Sequence, residues 1–323
     1  MAHHEATGAG TSHIRVGLIA DVQYADIPDA RSPYGATRSY RDALAKVRLA
    51  AADWNAAACV AAFNLGDTID RRAGMAAAVA VREVLSCFRA FGRVFHVLGN
   101  HDLSALPPAE LAALAGCPAG GALPGLEIDE GPGGSCLDIC VGAGWRIVVL
   151  DTYDVAVKRD AARARAVRAR LLAEARQRGR PAAYLTEHEE LNGAVGEAQL
   201  RWLRGRLGAA RETSDRVVVL AHASFRPEAT YYGDAVCWNC EEVSELLDYF
   251  ADVVALVVTG HDHYGGSATS DAGIHHRVLE AAMEGAKGTP THAILELCPR
   301  GPGIRLLGRG AVQSWEPPWA GAA

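Results

Sequence analysis

Apolar residues along the chain fall into two recurring patterns. Short continuous runs at residues 14–20, 59–65, 93–98, 145–150, 216–221 and 255–259 are of strand length, and each stops at a polar or glycine-bearing cluster, as buried strands do. Between them lie alanine-rich segments with helical spacing at 39–58, 76–91, 160–178, 197–211 and 241–249, each predicting a helix with one buried face. Strand alternating with helix predicts an α/β fold. Beyond Gly266 the pattern changes to strands without long helices, at 274–280, 291–297 and 304–308, which predicts a second sheet of antiparallel strands. No run approaches the roughly 20 apolar residues of a bilayer-spanning helix, so no membrane contact is expected.

Composition narrows the picture further. The 323 residues are 50% hydrophobic and 22% charged, a globular rather than a disordered balance. A formal net charge of -6 argues against a protein that binds nucleic acid by bulk electrostatics. Residues 1–12 carry no basic and apolar signal pattern and are expected to form a mobile tail. The Gly/Pro-rich stretch 117–134 is too short to separate two domains, so residues 13–323 are expected to form a single domain. Eight cysteines in a chain of this length are too sparse for a disulfide scaffold. Cys237 and Cys240 form a CxxC and Cys136 and Cys140 a CxxxC, but half-buried thiols in a reducing cytoplasm fit better than zinc or redox use. Residues 158–180 hold nine Lys or Arg against two acids, which reads as a solvated helix face.

The chemistry-bearing residues stand just after the predicted strands, where open α/β sheets place their ligands. Asp21-Val22-Gln23 follows the first run, Gly66-Asp67-Thr68-Ile69-Asp70 the second, Gly99-Asn100-His101-Asp102 the third, His222 the fifth and Gly260-His261-Asp262-His263 the sixth. A single cluster of this kind is ordinarily a turn. Five at strand ends are hard to produce by turn chemistry alone. Two carboxylates, two amide oxygens and three imidazoles suit Mn(II) or Fe(II) and accept Zn(II). They exceed one tetrahedral site and match two metals sharing a carboxylate, the arrangement that clamps attacking and leaving oxygens in phosphoryl displacement. Two divalent ions against two carboxylates and a bridging hydroxide leave about one positive charge for an anionic phosphate ester.

These blocks resemble the calcineurin-like metallophosphoesterase family, whose pattern runs D-x-H, G-D-x-x-D, G-N-H-D/E, a lone H, and G-H-x-H. Gln23 departs from it, standing where most members have His. With the surrounding residues 20–26 it is similar to the branch of manganese-dependent ADP-ribose/CDP-alcohol diphosphatases. The likeness runs from about residue 14 to 310 and includes Asp53-Trp54-Asn55, residues 150–154, Asn192-Gly193, Gln199, Trp202, residues 236–239, Leu279-Glu280 and residues 308–310.

The resemblance implies a four-layer sandwich, two mixed β-sheets flanked by helices. It implies that Asp21, Gln23, Asp67 and His263 hold a first metal and that Asp67, Asn100, His222 and His261 hold a second, with manganese the expected ion. It makes His101 the catalytic residue, with Asn100 and His101 touching substrate and Asp70 and Asp102 orienting imidazoles from behind. Cys237 and Tyr34 are expected beside the nucleobase. The implied activity is hydrolysis of the diphosphate of ADP-ribose, CDP-alcohols or related small nucleotides to a nucleoside monophosphate and a phosphorylated partner. The alternatives are a cyclic-nucleotide or phosphomonoester hydrolase, a hydrolase of a nucleotide-linked biosynthetic intermediate, and a scaffold without activity. The last is disfavoured because no ligand position is lost.

Overall fold

The computed structural model describes residues 13–32, 34–115, 125–180, 183–186, 189–299 and 303–316. The expected tail and part of the 117–134 excursion lie outside the described residues. In chain order the strands are β1 Ile14–Ile19, β2 Ala30–Arg31, β3 Thr37–Arg38, β4 Ala61–Asn64, β5 Val94–His96, β6 Glu127–Glu130, β7 Leu137–Gly142, β8 Trp145–Val149, β9 Arg216–Leu220, β10 Val254–Thr259, β11 Tyr264–Thr269, β12 His275–Glu280, β13 Thr291–Leu297 and β14 Ile304–Gly310. The helices are α1 Ala43–Ala56, α2 Ala77–Phe88, α3 Asn100–Ala105, α4 Pro108–Ala115, α5 Ala161–Gln177, α6 Ala183–Thr186, α7 Glu197–Thr213 and α8 Cys240–Tyr249.

Two sheets stack face to face. One has the order β14-β13-β1-β4-β5 and the other β11-β12-β10-β9-β8-β7-β6. In the first, β1, β4 and β5 run parallel and β13 joins β1 antiparallel, with Ile14 opposite Leu297. In the second, β12, β10, β9 and β8 run parallel, with antiparallel strands outside them. Alternation along each strand divides its side chains between layers. From β1, Val16 and Leu18 enter the core between the sheets, where Phe63 and Phe95 stack at 5.1 Å, while Ile19 faces the layer of α1 and α2. The other outer face packs against α5, α7 and α8. The result is the implied four-layer sandwich.

The two sheets are composed differently from the sequence expectation. Strands β13 and β14 complete the sheet of β1, whereas β12 lies parallel to β10 in the other sheet. Local pattern identifies a strand but carries no information on its partner. Strand β7 escaped prediction because Asp138 interrupts its apolar run; buried, that carboxylate receives both Arg146 Nε and Nη2, at 2.8 and 2.9 Å. Strand β11 was hidden by its glycines.

Several residues of the diphosphatase likeness act in the frame. Asp53 accepts hydrogen bonds from His292 and Arg309, both at 3.0 Å, tying α1 to β13 and β14. Gln199 bonds both the N–H and the C=O of Asp151, at 2.8 and 3.0 Å, substituting for a strand neighbour beyond β8.

His276 on β12 is only 2% exposed and neither ring nitrogen has a hydrogen-bond partner among the described residues. Burial, with Arg226 and His275 nearby, lowers its pKa to about 3 from 6.5. Between those values the unfolded chain binds a proton that the folded chain refuses. The stability present above pH 6.5 is therefore lost as pH falls, at about 1.4 kcal/mol per unit from this group. Urea unfolding of the chain and of His276→Leu at pH 4 to 7 should give a shallower pH dependence in the variant; identical slopes would show that His276 does not carry the effect.

Candidate functional site

The chemistry-bearing clusters converge at one end of the sandwich. Asp21 and Gln23 follow β1, Asp67 follows β4, Asn100 and His101 open α3 after β5, His222 follows β9, and His261 and His263 follow β10. Both sheets thus deliver C-terminal strand ends to the floor of a cleft of about 610 Å³. Of the eight non-glycine residues with positive φ among the described residues, five are here: Asp21, Gln23, Asp67, His261 and His263, at 53°, 42°, 54°, 75° and 74°. Each such conformation costs on the order of 1–3 kcal/mol. Strain is therefore concentrated where chain direction reverses to aim these side chains inward.

Asp67 is central. Its Oδ1 accepts the His101 N–H at 2.8 Å, its Oδ2 accepts Gln23 Nε2 at 3.0 Å, and His222 Nε2 stands 3.6 Å from that same oxygen. His222 Nδ1 donates to Leu65 O at 2.7 Å, leaving Nε2 to face Asp67 and Asn100 Oδ1, the latter at 3.3 Å. His261 Nε2 pairs with Asn192 Oδ1 at 2.9 Å, and its backbone N–H donates to Asp21 Oδ2 at 3.0 Å. His263 Nδ1 pairs with Glu284 Oε1 at 3.0 Å, and its Nε2 lies 3.5 Å from Asp21 Oδ1. A carboxylate or amide oxygen behind each ring is the usual means of fixing a metal-binding imidazole.

The donor set fits a metal pair. Ligand atoms of Asp67, His222 and His261 all lie within 4.8 Å of one another, buried. Gln23 Oε1 is a buried oxygen with no hydrogen-bond partner among the described residues, and Asp21 Oδ1 has only the His263 ring, at 3.5 Å, a state that a cation relieves. Burial and the neighbouring His222 push the His261 pKa well down, so this ring is neutral. Burial opposes charge on His263, yet the Asp21 and Glu284 carboxylates bring its pKa up to about 10. Burial alone would raise the Asp21 carboxyl, but His263 and His222 hold it well below the usual range.

His101 lines the cleft with its Nδ1 3.3 Å from Asp70 Oδ2 and 3.1 Å from the Arg71 N–H. Burial opposes the charge on Asp70, but the bond to His101 and the Arg72 N–H keep its pKa low. Asp70 thus stands directly behind the His101 ring. Asp102 does not: its oxygens accept the backbone N–H groups of Ile69 and Gly99, at 3.2 and 3.1 Å, and hold two loops together.

Of the residues expected beside a base, Tyr34 is on the cleft wall and 60% exposed, stacked on Tyr232 at 4.4 Å and 30°. Cys237 is a correction. It is 0% exposed, packed in the core beneath the outer helices, and is not among the residues lining the cleft; its Sγ donates to Asn239 Oδ1 at 3.2 Å. Its N–H bonds Ser224 O, which draws the segment inward. The described cysteines are free thiols.

Glu284, Asn192 and the tyrosines at 231, 232 and 264 received no role from the sequence. Asn192 was visible only as part of the wider likeness, and Glu284 lies 21 residues beyond His263, in no motif. The basic segment 158–180 is no anion site: eight of its nine cations lie within 4.0 Å of carboxylates, chiefly on neighbouring segments, among them Glu189 and Glu190 of the cleft wall.

Comparison with known proteins agrees with this geometry. Residues 14–265 match the family described as calcineurin-like phosphoesterase. The chain is 33% identical over 309 residues to a manganese-dependent ADP-ribose/CDP-alcohol diphosphatase of Arabidopsis thaliana, covering 92% of this chain and 94% of the relative. A protein of the same name from Oryza sativa subsp. japonica is 32% identical, with 88% of each chain covered. The crystal structure of a dimetal phosphatase from Danio rerio superposes with a TM-score of 0.78 at 27% identity, covering 94% of this chain and 98% of the other.

Two substitutions test the geometry. A Cβ at Gly99 would fall 2.0 Å from Asp67 Oδ1 and 2.4 Å from its backbone nitrogen, so Gly99→Ala should displace the carboxylate and weaken manganese binding in calorimetry while far-ultraviolet dichroism stays native. Glu284→Gln removes the charge behind His263 and should weaken manganese binding about 10- to 100-fold. Unchanged affinity in either variant would separate that residue from the metal centre.

Proposed function

The chain belongs to the calcineurin-like phosphoesterase family, and we propose that it is a manganese-dependent hydrolase of the diphosphate linkage in ADP-ribose, CDP-alcohols and related small nucleotides. The observation that carries this reading is the clustering of the seven expected donors, with Asp67, Asn100, His261 and His263 lining one cleft and Asp21, Gln23 and His222 packed directly behind them. Asp21, Gln23, Asp67 and His263 would hold one ion and Asp67, Asn100, His222 and His261 the other. The contacts of Asp67 with both Gln23 and His222 support its position between them. When bound, the metal pair supplies Lewis acidity toward phosphoryl oxygens and lowers the pKa of water.

The chain's own residues complete the chemistry. His101, its Nδ1 3.3 Å from the Asp70 carboxylate, presents Nε2 to the reacting phosphate and donates a proton to the departing oxygen. Asn100 orients the phosphoryl group, and its Oδ1 is held by Tyr153 OH at 3.4 Å. Tyr34, with Tyr232 beside it, offers a planar surface to the base. The products are a nucleoside monophosphate and the phosphorylated remainder.

No helix among the described residues is long and apolar enough to cross a membrane. We place the enzyme in the cytoplasm, as one domain spanning residues 13–323, with free thiols in support.

Incubation with ADP-ribose and Mn(II) should release AMP and ribose 5-phosphate, and a chelator should abolish the release. Absence of products, with turnover of a cyclic nucleotide or monoester instead, would move the substrate class. His101→Ala should keep manganese affinity and lose roughly 100- to 10,000-fold in kcat; undiminished turnover would remove His101 from the mechanism. Gln23→His should tighten manganese binding, since imidazole is the stronger ligand, and unchanged affinity would count against Gln23 as a ligand.

A further inference from the structure

Asp262 stands between His261 and His263 and is 5% exposed, yet its bonds lead away from the cluster of donors. Its Oδ2 accepts the backbone N–H of Tyr231 at 3.0 Å and that of Tyr232 at 3.5 Å. The loop it grips closes on itself through Thr230 Oγ1, which accepts the Gly233 N–H at 2.9 Å. That loop presents Tyr232, whose ring stacks on Tyr34 and meets Tyr264 edge-on at 5.6 Å. Tyr231 is 68% exposed and Tyr232 40%, so packing alone does little to hold the loop.

The opposite side of the rim is tied down separately. Tyr34 lies in the hairpin between β2 and β3, and Arg38 on that hairpin bonds Glu284 at 3.0 Å while the Ser39 N–H donates to Met283 O at 3.0 Å. Each half of the aromatic pair is thus fastened to a segment that also carries or backs a metal-facing residue. A stacking surface contributes to selection only if its distance from the phosphoryl site is fixed to a fraction of an ångström.

We propose that Asp262 is a specificity-determining positioning residue: by fastening the 230–233 loop to the turn bearing His261 and His263, it sets the distance between the Tyr34–Tyr232 pair and the phosphoryl-binding floor. The cleft thereby prefers phosphates that carry a planar base. This rests on the reading of the cleft as a nucleotide site, and it assigns Asp262 no contact with metal or substrate.

The test is a calorimetric double-mutant cycle on the manganese-loaded protein, measuring Kd for AMP and for inorganic phosphate. The unsubstituted chain should bind AMP more tightly than phosphate. Asp262→Ala should reduce that preference about tenfold, the scale of one base-aromatic stack, without changing phosphate affinity. Tyr232→Ala should do the same, and the double variant should be no worse than Tyr232→Ala, because the effect of Asp262 passes through that ring. Asp262→Asn keeps one carbonyl acceptor and should restore part of the preference; it also serves if the alanine variant does not fold. The proposal is overturned if the unsubstituted chain shows no AMP preference, if Asp262 variants keep it or weaken both ligands equally, or if the two losses add. A chain that fails to cleave ADP-ribose but loses its AMP preference in this pattern would refute the substrate reading and leave the role of Asp262 standing.

Discussion

Asp67 is gripped on both carboxylate oxygens by groups from other loops. His101 reaches it from α3 and Gln23 from the end of β1, while His222 faces it from the second sheet. Three strand ends drawn from both sheets therefore meet at one buried carboxylate in a left-handed backbone conformation, φ 54°. The residues around it must be small. A Cβ at Gly66 would lie 2.3 Å from His222 Nδ1, and the φ of +102° there suits glycine. Close approach of backbones at this end of the sandwich is the condition under which seven donors can share so little space.

Such crowding creates an electrostatic problem that neighbouring residues moderate. Asp102 lies in the same buried region, and burial together with the charge of Asp67 pushes its pKa well above the carboxylate range. Its two oxygens are taken up by the Ile69 and Gly99 N–H groups, so its charge is turned away from the donors. Glu284 is different: burial opposes its ionisation, but His263 and Arg38 keep it charged.

Away from the floor, charge serves architecture. The cations of α5 and its flanks pair with Asp151, Asp154, Glu189, Glu190, Glu241 and Glu245. Individually such partly exposed pairs contribute about 0–1 kcal/mol. Collectively they fasten the segment carrying Glu189 and Glu190, which forms one wall of the cleft, to a helix on the outer layer. A local excess of positive charge is consequently cancelled in three dimensions and offers no anion-binding face.

The donor residues were legible because each stands immediately after an apolar run that can be nothing but a buried strand, and a polar residue there is aimed at the sheet end by chain direction alone. Asp21, Asp67, His222 and His261 are of this kind. Sheet membership was not legible, because β12 and β13 have similar local patterns and differ only in the partner that buries them. Nor was the environment of Cys237, whose place in a shared motif gave no hint that its backbone turns into the core. Asp262 could be seen but not interpreted, since its bonds go to Tyr231 and Tyr232, about 30 positions earlier. Short-range periodicity and side-chain chemistry suffice for the alternation of strand and helix and for the order of the candidate donors along the chain. Tertiary structure alone decided which oxygens stand behind each imidazole, which charges cancel and where the aromatic rim lies, because those depend on contacts between segments whose separation along the chain carries no local signal.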